Sequence, residues 1–172
     1  FDKFLSGLPS GVQVFALLFS NPRLLDLIAE IVGTAPRLAD HLARRPALLD
    51  VLIDIDFLRH QPDLIELRES LDPLMKVAKT YEDKLDDARR WTKDQQFRVG
   101  LQLLRAEVDG AKAGEAFADI AETVTAALND ATMNATAAAH GHVKDGAMVV
   151  IGMGRLGSRE MTAASDLDLI FI

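Results

Sequence analysis

Apolar residues recur every three or four positions along most of this chain, and only near its end does that rhythm give way to unbroken apolar runs. The first pattern predicts helices, the second strands. Between residues 9 and 80 the helical pattern is punctuated by Pro9, Pro22, Pro36, Pro46, Pro62 and Pro73. Each reads as opening a helix, because the missing proline N–H has no partner in a first turn anyway. Asn21 before Pro22 and Asp72 before Pro73 suit N-capping, and Gly33 suits the stop of the helix begun at Pro22. Leu24, Leu25, Leu27 and Ile28 mark an inner face. NPRLLDLI and RPALLDVLI share the form P-x-L-L-D at an interval of 24 residues. The other proline intervals are irregular, so the pattern predicts layered short helices rather than a solenoid.

From Pro73 to about Val108 only Gly100 interrupts the helical pattern. At about 1.5 Å per residue that is a rod of roughly 50 Å, or two helices bent near the glycine. The alanine-rich stretch from about Glu115 to Ala139 predicts a second long helix, ended by His140-Gly141. Asp145-Gly146 reads as a turn, after which AMVVIG and LDLIFI read as strands. The chain is therefore expected to be mainly α, a helical bundle followed by two strands.

Composition narrows the chemistry. The 172 residues carry a net charge of −7 without a basic stripe, which argues against a nucleic-acid partner. The absence of cysteine excludes disulfides and thiolate metal sites and suits a cytoplasmic setting. Apolar runs such as VFALLF are far shorter than the roughly 20 residues of a membrane span, so no membrane partner is expected. The start at Phe1 and the end on the strand LDLIFI suggest a piece of a longer protein.

Gly152, Gly154 and Gly157 form a G-x-G-x-x-G directly after an apolar run, which raises a dinucleotide site. Only Ser158 to Ser165, eight residues, separate Gly157 from the next strand pattern, whereas a parallel crossover takes a dozen or more. The acidic residues also fall at the start of that strand rather than at its end. Both spacings reject the dinucleotide reading, and no Gly-Lys-[Ser/Thr] supports a P-loop. Gly157-Ser158, seven residues, then Asp166-Leu167-Asp168-Leu169 fits another form, G-[GS]-x7-D-h-D-h. Strand alternation would put Asp166 and Asp168 on one face and send Leu167 and Leu169 into the core. Two carboxylates on one face suit Mg²⁺, and a Gly-Ser turn offers backbone N–H groups and a hydroxyl to phosphates.

That form resembles the polymerase-β-like nucleotidyltransferases. The wider wording VVIGMGRLGSREMTAASDLDLIFI is similar to the active-site segment of the bacterial glutamine synthetase adenylyltransferases, also called glutamate-ammonia-ligase adenylyltransferases. PRLADHLARRPALLDVLID and RRWTKDQQFRVG resemble the helices that lead into the transferring domain of that family. GSREMTAASDLDLI resembles the adenylyl-transferring copy more than the adenylyl-removing copy, for which GELNxSSDIDLI is the commoner wording.

The resemblance implies a parent enzyme that moves AMP from ATP to a tyrosine of glutamine synthetase and responds to PII signalling proteins. It implies that Asp166 and Asp168 hold Mg²⁺, that Gly157 and Ser158 hold the triphosphate, and that Arg155 and Arg159 neutralise phosphate charge. It divides the chain into a short-helix linker over 1–72, a long-helix bundle over 73–146 and a truncated α/β nucleotidyltransferase core over 147–172. A third carboxylate is expected from a later strand, so the isolated piece should be inactive. A helical interaction module without catalysis, or the removing domain, is the alternative.

Other groups read as structural. Asp54-Ile55-Asp56 lacks a preceding glycine turn, and His140-Gly141-His142 sits at a helix end. Glu82, Asp83, Asp86 and Asp87 read as a solvated face balanced by Lys84, Arg89 and Arg90, and Trp91, Phe97 and the five methionines as packing residues.

Overall fold

In a computed structural model the described residues are 18–45, 47–53, 59–142, 144 and 146–172. Pro9, Pro46, Asp54-Ile55-Asp56 and Asp145 lie outside them. Among the described residues, helices run in chain order as α1 (Pro22–Thr34), α2 (Pro36–Arg44), α3 (Leu48–Val51), α4 (Leu64–Val77), α5 (Tyr81–Leu104) and α6 (Gly110–His140). Strand β1 (Val150–Gly152), the single turn α7 (Gly154–Gly157) and strand β2 (Leu169–Phe171) follow. Among the described residues no helix is long and apolar enough to cross a membrane. The chain divides into two compact units, residues 1–60 with 100–107, and residues 61–99 with 108–172.

In the first unit, α1 buries Leu24, Leu27, Ile28 and Ile31, a spacing of three to four residues along one face. Ala35 ends α1 and begins α2, donating to the Ile31 carbonyl while accepting from the Ala39 N–H. Pro36 makes this junction a single residue, since the residue before a proline is pushed out of the α region and Ala35 lies at φ −130°. Pro22 and Pro36 thus open helices as expected. Asn21 occupies the N-cap position but makes no side-chain capping bond, and Gly33 lies inside α1 rather than at its stop. Gly100 does not interrupt α5. A Cβ there would come within 2.9 Å of Leu38 Cδ2, so the glycine admits a side chain from α2.

In the second unit, α4 starts at Asp63, one residue after Pro62. The Asp63 carboxylate accepts from the Ile65 and Glu66 N–H groups at 2.8 and 2.9 Å, and Glu66 accepts from the Asp63 N–H at 2.9 Å. This capping box supersedes the start expected at Asp72-Pro73, and Pro73 lies inside the helix instead. Its neighbourhood is exposed, so water can serve the Glu69 carbonyl that the ring leaves without a donor. The break between long helices falls at 78–80, where Thr80 and Asp83 cap each other reciprocally at 3.0 Å. Hydrogen bonding from the Thr80 side chain, and then from its backbone N–H, holds the Asp83 carboxyl below its usual range. The expected charged face is present beyond it, with Asp86 paired to Arg89 and Asp87 to Arg90.

Asp109 accepts from the Lys112 N–H and starts α6 five residues earlier than the alanine pattern suggested. Gly141 stops it at φ +83°, a left-handed backbone that glycine adopts without a Cβ penalty. The core joins Leu67 and Leu71 of α4, Ala88 and Trp91 of α5, and Ala113, Ala116, Phe117, Ile120, Ala121 and Val124 of α6. Trp91 donates its indole N–H to Ser70 Oγ, and Tyr81 meets Thr132 across a 2.9 Å hydrogen bond. Trp91, Phe97 and Met161 are buried as packing residues, whereas Met133 and Met153 are exposed.

The strands pair antiparallel, Val150 with Phe171, Ile151 with Ile170 and Gly152 with Leu169. The ladder extends to Val149–Ile172 on one side and to the Met153 N–H donating to the Asp168 carbonyl on the other.

Urea unfolding should separate the two local signals in α4. Pro73→Ala restores a helix donor at an exposed interior position and should raise stability by about 2 kcal/mol. Asp63→Ala removes the capping box and should lower it by about 1 kcal/mol.

Candidate functional site

The glycine motif sits on one tight structure, strand β1, the turn α7 and an irregular return to β2. An antiparallel return over this distance cannot be a dinucleotide crossover, as its length had indicated. Packing accounts for the glycines. Gly154 has φ +53°, and a Cβ there would fall 2.5 Å from Asp168 Oδ2, so the carboxylate lies directly over the turn. A Cβ on Gly157 would lie 2.9 Å from the Gly152 carbonyl oxygen, a backbone atom with little freedom to withdraw. Leu156 folds inward against Gly152 and packs on the helical core.

The turn spends its own donors. The Gly157 N–H donates to the Met153 carbonyl at 3.1 Å and the Ser158 N–H to the Gly154 carbonyl at 3.0 Å. Both amides, which were expected to face a triphosphate, are engaged inside the turn. The Ser158 hydroxyl is exposed, with a long 3.4 Å contact to Glu160 Oε2. Arg155 is exposed on α7 with no ion pair among the described residues.

Arg159 differs. Its backbone is left-handed at φ +59°, and its guanidinium is paired with Asp119 and, at 3.4 Å, with Glu122 of α6. The hydrogen bond with Asp119 pushes its pKa still higher, against the opposing effect of burial. Met161 next to this loop is only 6% exposed and belongs to the core. The chain then reverses through Thr162–Ser165, where the Thr162 N–H donates to Ser165 Oγ at 2.9 Å and the Ser165 N–H to the Thr162 carbonyl at 3.1 Å. This turn delivers Asp166.

Asp166 and Asp168 are both exposed and unpaired among the described residues. They precede β2 rather than lying within it, and Leu167 is 45% exposed where a core position was expected. The ladder bond at the Asp168 carbonyl fixes its register all the same. By strand alternation Asp168 shares a face with Ile151 and Ile170, opposite to Val150, Gly152 and Leu169. The latter three line a groove of about 500 Å³ beside Glu122, Thr125 and Asn129 of α6. The carboxylate face is thus turned away from α6.

This donor set fits Mg²⁺, which takes one or two carboxylates and completes its shell with water and substrate phosphate. Among the described residues no group of three or more His, Asp or Glu converges as a cage. The paired role of Arg159 with Asp119 was not legible in the sequence, since forty residues separate them and neither lies in a shared motif.

The family model for glutamate-ammonia ligase adenylyltransferase matches residues 25–172. A bifunctional glutamine synthetase adenylyltransferase/adenylyl-removing enzyme of Mesorhizobium japonicum is 46% identical over the whole chain. Proteins of the same description from Bradyrhizobium sp. and Bartonella quintana are 43% and 41% identical, again over the whole chain. The chain spans 17–18% of the length of these relatives.

Gly157→Ala should lower stability by about 1–3 kcal/mol in chemical denaturation, because the facing atom is backbone. Gly154→Ala should cost about 1–2 kcal/mol for the left-handed backbone alone, and it should also displace the Asp168 carboxylate, read as a shift of the Asp168 carboxyl resonance.

Proposed function

The chain belongs to the glutamate-ammonia ligase adenylyltransferase family, and on that premise we propose that its parent protein transfers AMP from ATP to a tyrosine of glutamine synthetase, releasing pyrophosphate. The observation that carries this reading is the Asp168 carboxylate over the Gly154 turn, with Ser158 and the unpaired Arg155 on the same turn. The proposed architecture is a polymerase-β-like nucleotidyltransferase core over 147–172, preceded by a helical bundle over 73–146 and a helical linker over 1–72.

Asp166 and Asp168 are the proposed Mg²⁺ ligands. The ion would supply charge neutralisation at the attacking and leaving oxygens. Ser158 would donate its hydroxyl to the triphosphate, and Arg155 would offer a planar fork of donors to phosphate oxygens. Gly157 would serve by shape, keeping the turn low enough for the nucleotide to approach. Arg159 was expected to neutralise phosphate charge as well; paired with Asp119 and Glu122, it is proposed to act through the loop it holds rather than by direct contact with phosphate. The parent's proposed partners are glutamine synthetase and PII signalling proteins, in the cytoplasm. The wording GSREMTAASDLDLI supports the transferring rather than the removing domain.

The test uses the full-length protein with glutamine synthetase and ATP-Mg²⁺. AMP-tyrosine should appear by mass spectrometry, and Asp166→Asn or Asp168→Asn should slow its formation by about 10²-fold or more with unchanged folding. The 172-residue chain alone should show no transfer. Absence of AMP-tyrosine under every glutamine and PII condition would refute the reading. Deadenylylation of modified glutamine synthetase that depends on Asp166 and Asp168 would assign the removing domain instead.

A further inference from the structure

We propose that Asp119 of α6 is a positioning residue, acting through Arg159 to set the loop that carries Ser158 and leads to Asp166 and Asp168. The proposal rests on the adenylyl-transfer reading and deepens it.

Three contacts hold this loop. Arg159 is a non-glycine residue in a left-handed conformation, which needs compensation from elsewhere. Its guanidinium provides that compensation by reaching Asp119 and Glu122. The Asp119 side chain is 18% exposed, so leaving it without its cation would strand a largely desolvated charge. Glu122 is shared with Arg68 of α4, whose Nη2 lies 3.7 Å from the other carboxylate oxygen. Beside the ion pair, the backbone at 159–161 lies against Gly114 of α6, 3.4 Å from where a Cβ would stand. Met161 then enters the core.

The two arginines of the turn therefore divide the work. Arg155 has no competing ion pair among the described residues and is available to phosphate, whereas Arg159 would have to abandon Asp119 to reach one. Helix α6 sets the loop path before substrate arrives, and positioning of this kind supplies much of phosphoryl-transfer catalysis.

The test compares Asp119→Asn, Arg159→Gln, their double mutant and the swap Asp119→Arg/Arg159→Asp in the full-length enzyme. Each single change should lower kcat by about tenfold and leave KM for ATP within about twofold, and the double mutant should be no worse than either single. The swap should recover most of the loss, since aspartate tolerates the left-handed backbone. Independently of activity, amide exchange over 158–165 should quicken by roughly fivefold in Asp119→Asn while α6 stays protected. Unchanged exchange there overturns the proposal. So does a rise in KM for ATP in Arg159→Gln that Asp119→Asn does not share, which would make Arg159 a phosphate ligand. Retained transfer in Asp166→Asn would instead refute the adenylyl-transfer reading, and the exchange result would still decide the Asp119–Arg159 pair.

Discussion

The close approach of backbone to the small-residue face of α6 is the constraint from which the second unit is built. Ala113, Gly114, Ala116, Ala118 and Ala121 bury almost nothing in side-chain bulk, so what they contribute is proximity. Leu67 and Leu71 of α4 fill the space from one direction, and the loop at 159–161 lies against Gly114 from another. A Cβ at Gly114 would just touch the backbone of 159–161 at 3.4 Å, so a side chain longer than alanine's would press on the loop. Alanine here serves two levels at once, giving helix propensity locally and a low surface for packing.

Much of the helical arrangement was legible in local chemistry. Pro22 and Pro36 open helices because a fixed φ and a missing donor are harmless there, and His140-Gly141 ends α6 for equally local reasons. Pro73 shows where such reasoning gives way. Proline at a first turn and proline within a helix look alike when read singly, and the capping pair Asp63 and Glu66 decides between them. The same kind of pair at Thr80 and Asp83 put the break at 78–80 and left Gly100 inside a helix. Gly100 answers to Leu38, a tertiary neighbour that no local window contains.

The site was legible as a motif and less so as a shape. The spacing named Gly157-Ser158, Asp166 and Asp168 together, and the structure brings Asp168 over the Gly154 turn. What spacing could not convey was the use of the amides. A turn of four residues that closes its own hydrogen bonds has no N–H to spare at Gly157 or Ser158, which shifts the proposed phosphate contacts to a hydroxyl and a guanidinium. Leu167 is exposed for a related reason, because the reversal at Thr162–Ser165 delays the strand until Leu169.

The fate of the G-x-G-x-x-G wording is settled beyond its third glycine. In a dinucleotide site the chain must continue as a helix from that residue, long enough to cross over to a parallel strand. Here α7 ends within a turn, because Arg159 takes a left-handed backbone that no continuing α-helix permits. That conformation is held by carboxylates forty and thirty-seven residues earlier, on α6. The three glycines make a low, close-packed turn in either case. A long-range ion pair, paired with the contact at Gly114, then decides that the chain folds back antiparallel and presents Asp168 over Gly154, where a crossover helix would otherwise have stood.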